Sequence, residues 1–133
     1  MSGLRIDGAV ARPGAFDFAA LSGLPDQVPD VGTVVPERHG GAVRLRALLA
    51  AAGADPAAQS VELTANDASF RQTAPLASLR DAVLVYRLSD GPLPAAFGGP
   101  VRFLVPAAPG LVGVDRCTNV KGLGCITVRK EPA

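Results

Sequence analysis

Few residues in this chain have the types and spacing that chemistry needs. There is one histidine, His39, set between Arg38 and the pair Gly40-Gly41, and two cysteines, Cys117 and Cys125. An imidazole can act as an acid, a base or a metal ligand near neutral pH. A histidine in a loop beside an arginine and glycines is also what an ordinary surface turn contains. The cysteines fit no zinc spacing and have only His39 to join them. They read as two reduced thiols, with Cys125 a small core residue, although a disulfide across a hairpin is open. Carboxylates are scattered among turns and strand flanks, where backbone chemistry favours them. No pair of them makes a glycosidase-like case. GxGxxG, P-loop, GxSxG and HExxH patterns are absent from the sequence. Arg102 follows Gly98-Gly99-Pro100, a run in which missing side chains and a fixed proline φ let the backbone approach a ligand. Arg102 equally suits the solvent face of a strand.

The elements that must position these residues can be traced along the chain. Residues 4–10 alternate apolar and polar side chains as an edge-like strand, ended by the turn Arg12-Pro13-Gly14. Asp17 is placed to cap a short helix through Leu21 that Gly23 closes. Residues 27–36 read as an irregular extended strand restricted by two prolines. Residues 43–52 form the clearest helix, with Leu45, Leu48, Leu49 and Ala52 on one face and Gly53 beyond the end. Residues 60–65 and 69–73 read as a strand pair around the turn formers Asn66-Asp67. A helical turn over 75–80 starts at Pro75, and strands follow over 83–88, 101–105 and 126–128. Strands outnumber helices without a βαβ rhythm, which points to an α+β fold with a mixed, mostly antiparallel sheet.

Composition narrows the partners. The 133 residues fit a single domain over 1–133, with 48% hydrophobic and 19% charged residues. The formal net charge of +1 supplies no basic field for nucleic acid or an anionic membrane. With five phenylalanines, one tyrosine and no tryptophan, base-stacking platforms are not expected. No apolar run approaches the roughly 20 residues that span a bilayer. Arg5 and Asp7 interrupt the place where a signal peptide has its apolar stretch, so the expectation is a cytoplasmic protein.

Three segments then carry a resemblance: GPLPAAFGGPVRFLVP over 91–106, TNVKGLGCITV over 118–128 and HGGAVRLRALLAAAG over 39–53. Together they resemble the oxidoreductase molybdopterin-binding domain of sulfite oxidases and their bacterial relatives. The third is similar to that family's Trp-x-Gly-Val-x-Leu segment, and the match runs from about residue 4 to residue 128. The resemblance implies a sulfite oxidase-like fold that carries the molybdenum cofactor, molybdopterin, and does oxygen-atom chemistry at the metal. A cofactor ending in a phosphate and bearing a polar pterin needs fixed cations and backbone N–H donors. The resemblance places Arg102 and Lys121 in that pocket, with Asn119, Thr118 and His39 as further cofactor contacts.

Four positions depart from the family pattern. No cysteine stands between Asp17 and His39, where the family's enzymes carry a molybdenum-ligating thiolate. The family's Trp aligns with His39, its His with Phe97, and its Arg before Asn-Val-Lys with Thr118. Two functions follow. One is a cofactor-binding domain of the oxidoreductase type with oxygen-atom-transfer activity and a redox partner. The other is a non-catalytic member that binds a pterin, a small anion or a protein without molybdenum.

Overall fold

A computed structural model of the chain describes residues 3–35, 39–105 and 119–132. Two sheets face each other across one apolar core. The first is built from β1 (Leu4–Gly8), β2 (Gly14–Phe16), β5 (Ser60–Ala65), β6 (Arg71–Pro75) and β11 (Leu123–Arg129), in the order β2-β1-β11-β5-β6. The second contains β3 (Gln27–Val28), β4 (Gly41–Arg44), β7 (Val83–Leu88), β9 (Arg102–Leu104) and β10 (Asn119–Val120), in the order β10-β9-β7-β4-β3. A short β8 (Gly91–Pro92) doubles back on β7. Among these strands β1 and β11 pair in parallel and the others antiparallel, the mixed arrangement expected.

Alternation along the strands assigns each face. From the first sheet Leu4, Ile6, Val61, Leu63, Ile126 and Val128 point into the core. From the second sheet Val43, Leu84, Tyr86 and Phe103 meet them. The other face of the second sheet is not bare. Ala42, Val83, Val85 and Leu104 form a smaller cluster there with Val28, Val31 and Leu93. Arg102 pairs with Val85, and Asn119 with Leu104, so both polar side chains stand on this outer face.

Two helices flank the core. Asp17 caps α1 (Phe18–Ser22) by accepting the Ala20 N–H at 2.8 Å, and Gly23 ends it, as the sequence suggests. Helix α2 (Leu45–Ala52) starts two residues later than its pattern proposes, because Val43 and Arg44 are drawn into β4 beside β7. Gly53 takes the left-handed conformation at its end, and the Arg12 side chain bonds the carbonyl of Ala51 at 3.0 Å.

The extended strand expected over 27–36 is not formed. Pairing with β4 stops after Val28, and Asp30 then caps a 3-10 turn, Val31–Thr33, by accepting the Gly32 N–H at 2.9 Å. A local side-chain acceptor has won over strand pairing. Cys125 is a second correction. A shift in the β11–β5 register between Leu123 and Cys125 turns its side chain off the core side. The thiol is half-buried on the outer face, 3.8 Å from Asp7 Oδ2 and 3.7 Å from Thr127 Oγ1. Burial, and then the Asp7 carboxylate, push that thiol above its ordinary value, against an opposing hydrogen bond from Thr127.

Candidate functional site

Arg102 enters β9 directly after the loop 93–101, and that loop is tightly folded. A 3-10 turn, Ala95–Phe97, ends at Gly98 in the left-handed conformation, and the Gly98 and Gly99 amides bond back to Ala95 and Pro94 at 2.9 Å each. A Cβ on Gly99 would collide with the carbonyl oxygen of Leu93. On the side where a Cβ would project, the space beside these glycines is filled by the protein itself.

Gly98 has a specific task. A Cβ there would lie 2.9 Å from Arg102 Cδ and 3.2 Å from Lys121 Cγ. The stems of the two cations thus converge on the one residue that lacks a side chain to separate them. Lys121 reaches this point because its turn is clamped from both sides. The Gly122 N–H bonds Gly98 O at 2.8 Å, and Gly122 O accepts the Asn66 N–H at 2.7 Å. The next residue, Leu123, donates to Val101 O at 2.8 Å. Gly124 makes room for the β5–β6 turn, since a Cβ on it would stand 2.7 Å from Asn66 Cα.

The guanidinium of Arg102 is oriented in turn. Its Nε donates to Asn119 Oδ1 at 2.8 Å and an Nη donates to the Phe97 carbonyl at 3.2 Å. Asn119 is neutral, so it fixes the direction of Arg102 without cancelling its charge. Phe97, 47% exposed, is the exposed large apolar side chain among the described residues, and its backbone carbonyl is the one that accepts from Arg102. The cluster Arg102, Asn119 and Lys121 around Gly98 can bind an anionic group with charge-assisted hydrogen bonds.

Of the residues named from sequence, the structure brings Arg102, Asn119 and Lys121 together. Thr118 and Cys117 lie outside the described residues. His39 is exposed at the head of β4, two strands across the sheet from β9. Among the described residues no three His, Cys, Asp or Glu side chains gather as a metal site. Cys125 lies on the first sheet, bonded to Asp7 and Thr127, away from this cluster. The residues present therefore fit the phosphate and polar edge of a pterin cofactor, and no thiolate among them fits the metal.

One cation escaped the sequence reading. Arg87 stands on β7 two residues beyond Val85, hence on the same outer face as Arg102. Its only sequence signal is a break in the apolar run of residues 83–88, a charge where a buried strand would carry an apolar side chain.

Known proteins share this architecture. A crystal structure of the sulfane dehydrogenase SoxCD from Paracoccus pantotrophus superposes with a TM-score of 0.67 at 22% sequence identity, covering 98% of this chain and 38% of that one. That likeness shows the fold, and the chain spans well under half the length of that protein. No curated protein sequence matches the chain. No helix among the described residues is long and apolar enough to cross a membrane. Residues 32–133 match the family described as the oxidoreductase molybdopterin binding domain. With well over half of its length in that match and a sulfite oxidase-like fold, the chain belongs to the oxidoreductase molybdopterin binding domain family.

Proposed function

We propose that this chain binds the molybdopterin cofactor through Arg102, Lys121 and Asn119, with the cofactor phosphate between the two cations. The observation that carries this reading is the convergence of the Arg102 and Lys121 stems on Gly98. A phosphate near both side chains can accept charge-assisted hydrogen bonds from each. Asn119 keeps the Arg102 fork aimed while leaving its charge uncompensated by that contact. Thr118, one residue before Asn119, adds a hydroxyl to the proposed contact set.

His39 belongs to the other end of an extended ligand. The strand it leads into is two strands from β9, about 10 Å at ordinary strand spacing. When bound, the cofactor supplies oxygen-atom transfer at molybdenum held on its dithiolene. The protein's part is to hold the pterin and place charge around it. The described residues offer no thiolate to the metal, so the reading is cofactor binding first, with turnover and a redox partner resting on chemistry at the cofactor. We place the whole of 1–133 in one domain, which the core shared by both sheets supports. A cytoplasmic address remains part of the proposal.

The test is the metal and pterin content of protein purified from a host that makes the cofactor, read by elemental analysis and by fluorescence of the oxidised pterin. Pterin near one per chain supports the reading, with or without molybdenum. Protein that is folded and free of pterin overturns it.

A further inference from the structure

We propose that Gly124 is a positioning residue of the anion site: the β-bulge it forms lets the β5–β6 turn hold Lys121 beside Arg102. The proposal deepens the cofactor reading and rests on it.

The two cations are held by different means. Arg102 is oriented through its own side chain, by bonds to Asn119 and to the Phe97 carbonyl. Lys121 is exposed and takes part in none of the ion pairs among the described residues, which are Arg5–Asp7, Arg46–Asp26, Arg129–Glu131 and Lys130–Asp55. Its place is set by the backbone of its turn.

That backbone is fixed by three contacts. The Gly122 N–H donates to Gly98 O and the Leu123 N–H to Val101 O, at 2.8 Å each, which ties the turn to the loop before β9. From the other side the Asn66 N–H donates to Gly122 O at 2.7 Å. Asn66 follows the last residue of β5, so the first sheet holds a cation that works beside the second.

Gly124 decides whether the third contact can form. Ala65 pairs with Leu123 and Thr64 with Cys125, which leaves Gly124 as one extra residue on β11. Such a bulge bends its strand and re-aims the residues next to it. A Cβ on Gly124 would lie 2.7 Å from Asn66 Cα and 2.9 Å from Asn66 N, the atom that donates to Gly122. Both neighbours are backbone, so they cannot turn aside as the end of a side chain would. A methyl group there forces the Asn66 amide off Gly122, and the turn that carries Lys121 loses its clamp. Gly98 leaves room for two stems to meet, and Gly124 keeps one of them there.

Inorganic phosphate titrated into the full chain tests the assignment, with two NMR reporters read together: the Arg102 Nε–H signal and the Lys121 Cε–Hε signal. Both should move saturably in wild type. In Gly124→Ala the Lys121 response should be lost, while Arg102 responds with an affinity about tenfold weaker. Asn66→Pro removes the donor and keeps the glycine, so it should give the same split. It decides the matter if Gly124→Ala does not fold in a thermal scan. A general loosening of the fold would weaken both signals alike, so loss of both in a folded variant overturns the positioning role. An unchanged Lys121 response in the folded variants overturns it too, and leaves the cofactor reading standing. Wild type in which neither signal moves contradicts the phosphate site itself, and this proposal falls with it.

Discussion

Arg102 on β9 and Asn119 on β10 are joined by a 2.8 Å hydrogen bond from Nε to the amide oxygen, with Arg102 two residues along β9 from Leu104, the register partner of Asn119. The bond makes Asn119 an orienting group for a cation. Asn119→Ala removes the acceptor of Arg102 Nε, while the bond from an Nη to the Phe97 carbonyl can persist. Cofactor or phosphate affinity should fall by about tenfold, or ~1.4 kcal/mol. The unfolding midpoint should move little, since Asn119 is exposed. Isothermal titration and a thermal scan of the same variant separate the two effects.

Gly98 makes the opposite kind of prediction, in which fold and site fail together. Its φ of +92° suits glycine, and a methyl there meets the stems of both Arg102 and Lys121. Gly98→Ala should cost about 1–3 kcal/mol in denaturant unfolding and weaken anion binding at the same time. Binding at wild-type strength would mean the cations do not need this close approach.

Helix α2 offers a check on the core. Leu48 is fully buried and Leu49 only partly. Leu48→Ala should therefore cost about 2–5 kcal/mol, and Leu49→Ala under about 2 kcal/mol. Equal losses in urea titrations would show that the helix face has been misassigned.

The Cys125 thiol keeps its proton above its ordinary 9.0 because burial, then the nearby Asp7 carboxylate, penalise the thiolate. In a Cys117→Ser background, native protein should react with a thiol reagent at pH 8 more slowly than unfolded protein. The stability this thiol contributes is intact below 9.0 and is lost as the pH rises through the folded value. Faster labelling of the native form would contradict the burial-driven shift.

Much of this architecture is legible in the sequence where local and tertiary preferences agree. Residues 83–88 read as a buried strand and form β7, and Asp17 and Gly23 bound α1 as their capping chemistry requires. The pairing partners are less visible. Arg44 has no helical or strand preference strong enough to show that β4 takes it, and Asp30 ends β3 through a contact that spans two residues. In the site, Arg102, Asn119 and Lys121 were readable through a resemblance in short motifs. That Gly98 exists to let two stems meet was not, because residues 98, 102 and 121 touch only after two loops are clamped together. Gly124 was hidden for the same reason: the Asn66 amide it leaves room for arrives from the end of β5, which no local pattern predicts.

The central claim is that Arg102 and Lys121 jointly hold the cofactor phosphate over Gly98. The most direct measurement is pterin content of the double variant Arg102→Ala, Lys121→Ala against wild type, both purified from the same cofactor-producing cells and matched for folding by thermal scan. Wild type carrying pterin and a folded variant carrying almost none is the predicted result. Equal pterin in the two proteins would contradict it and move the cofactor to another face of the molecule.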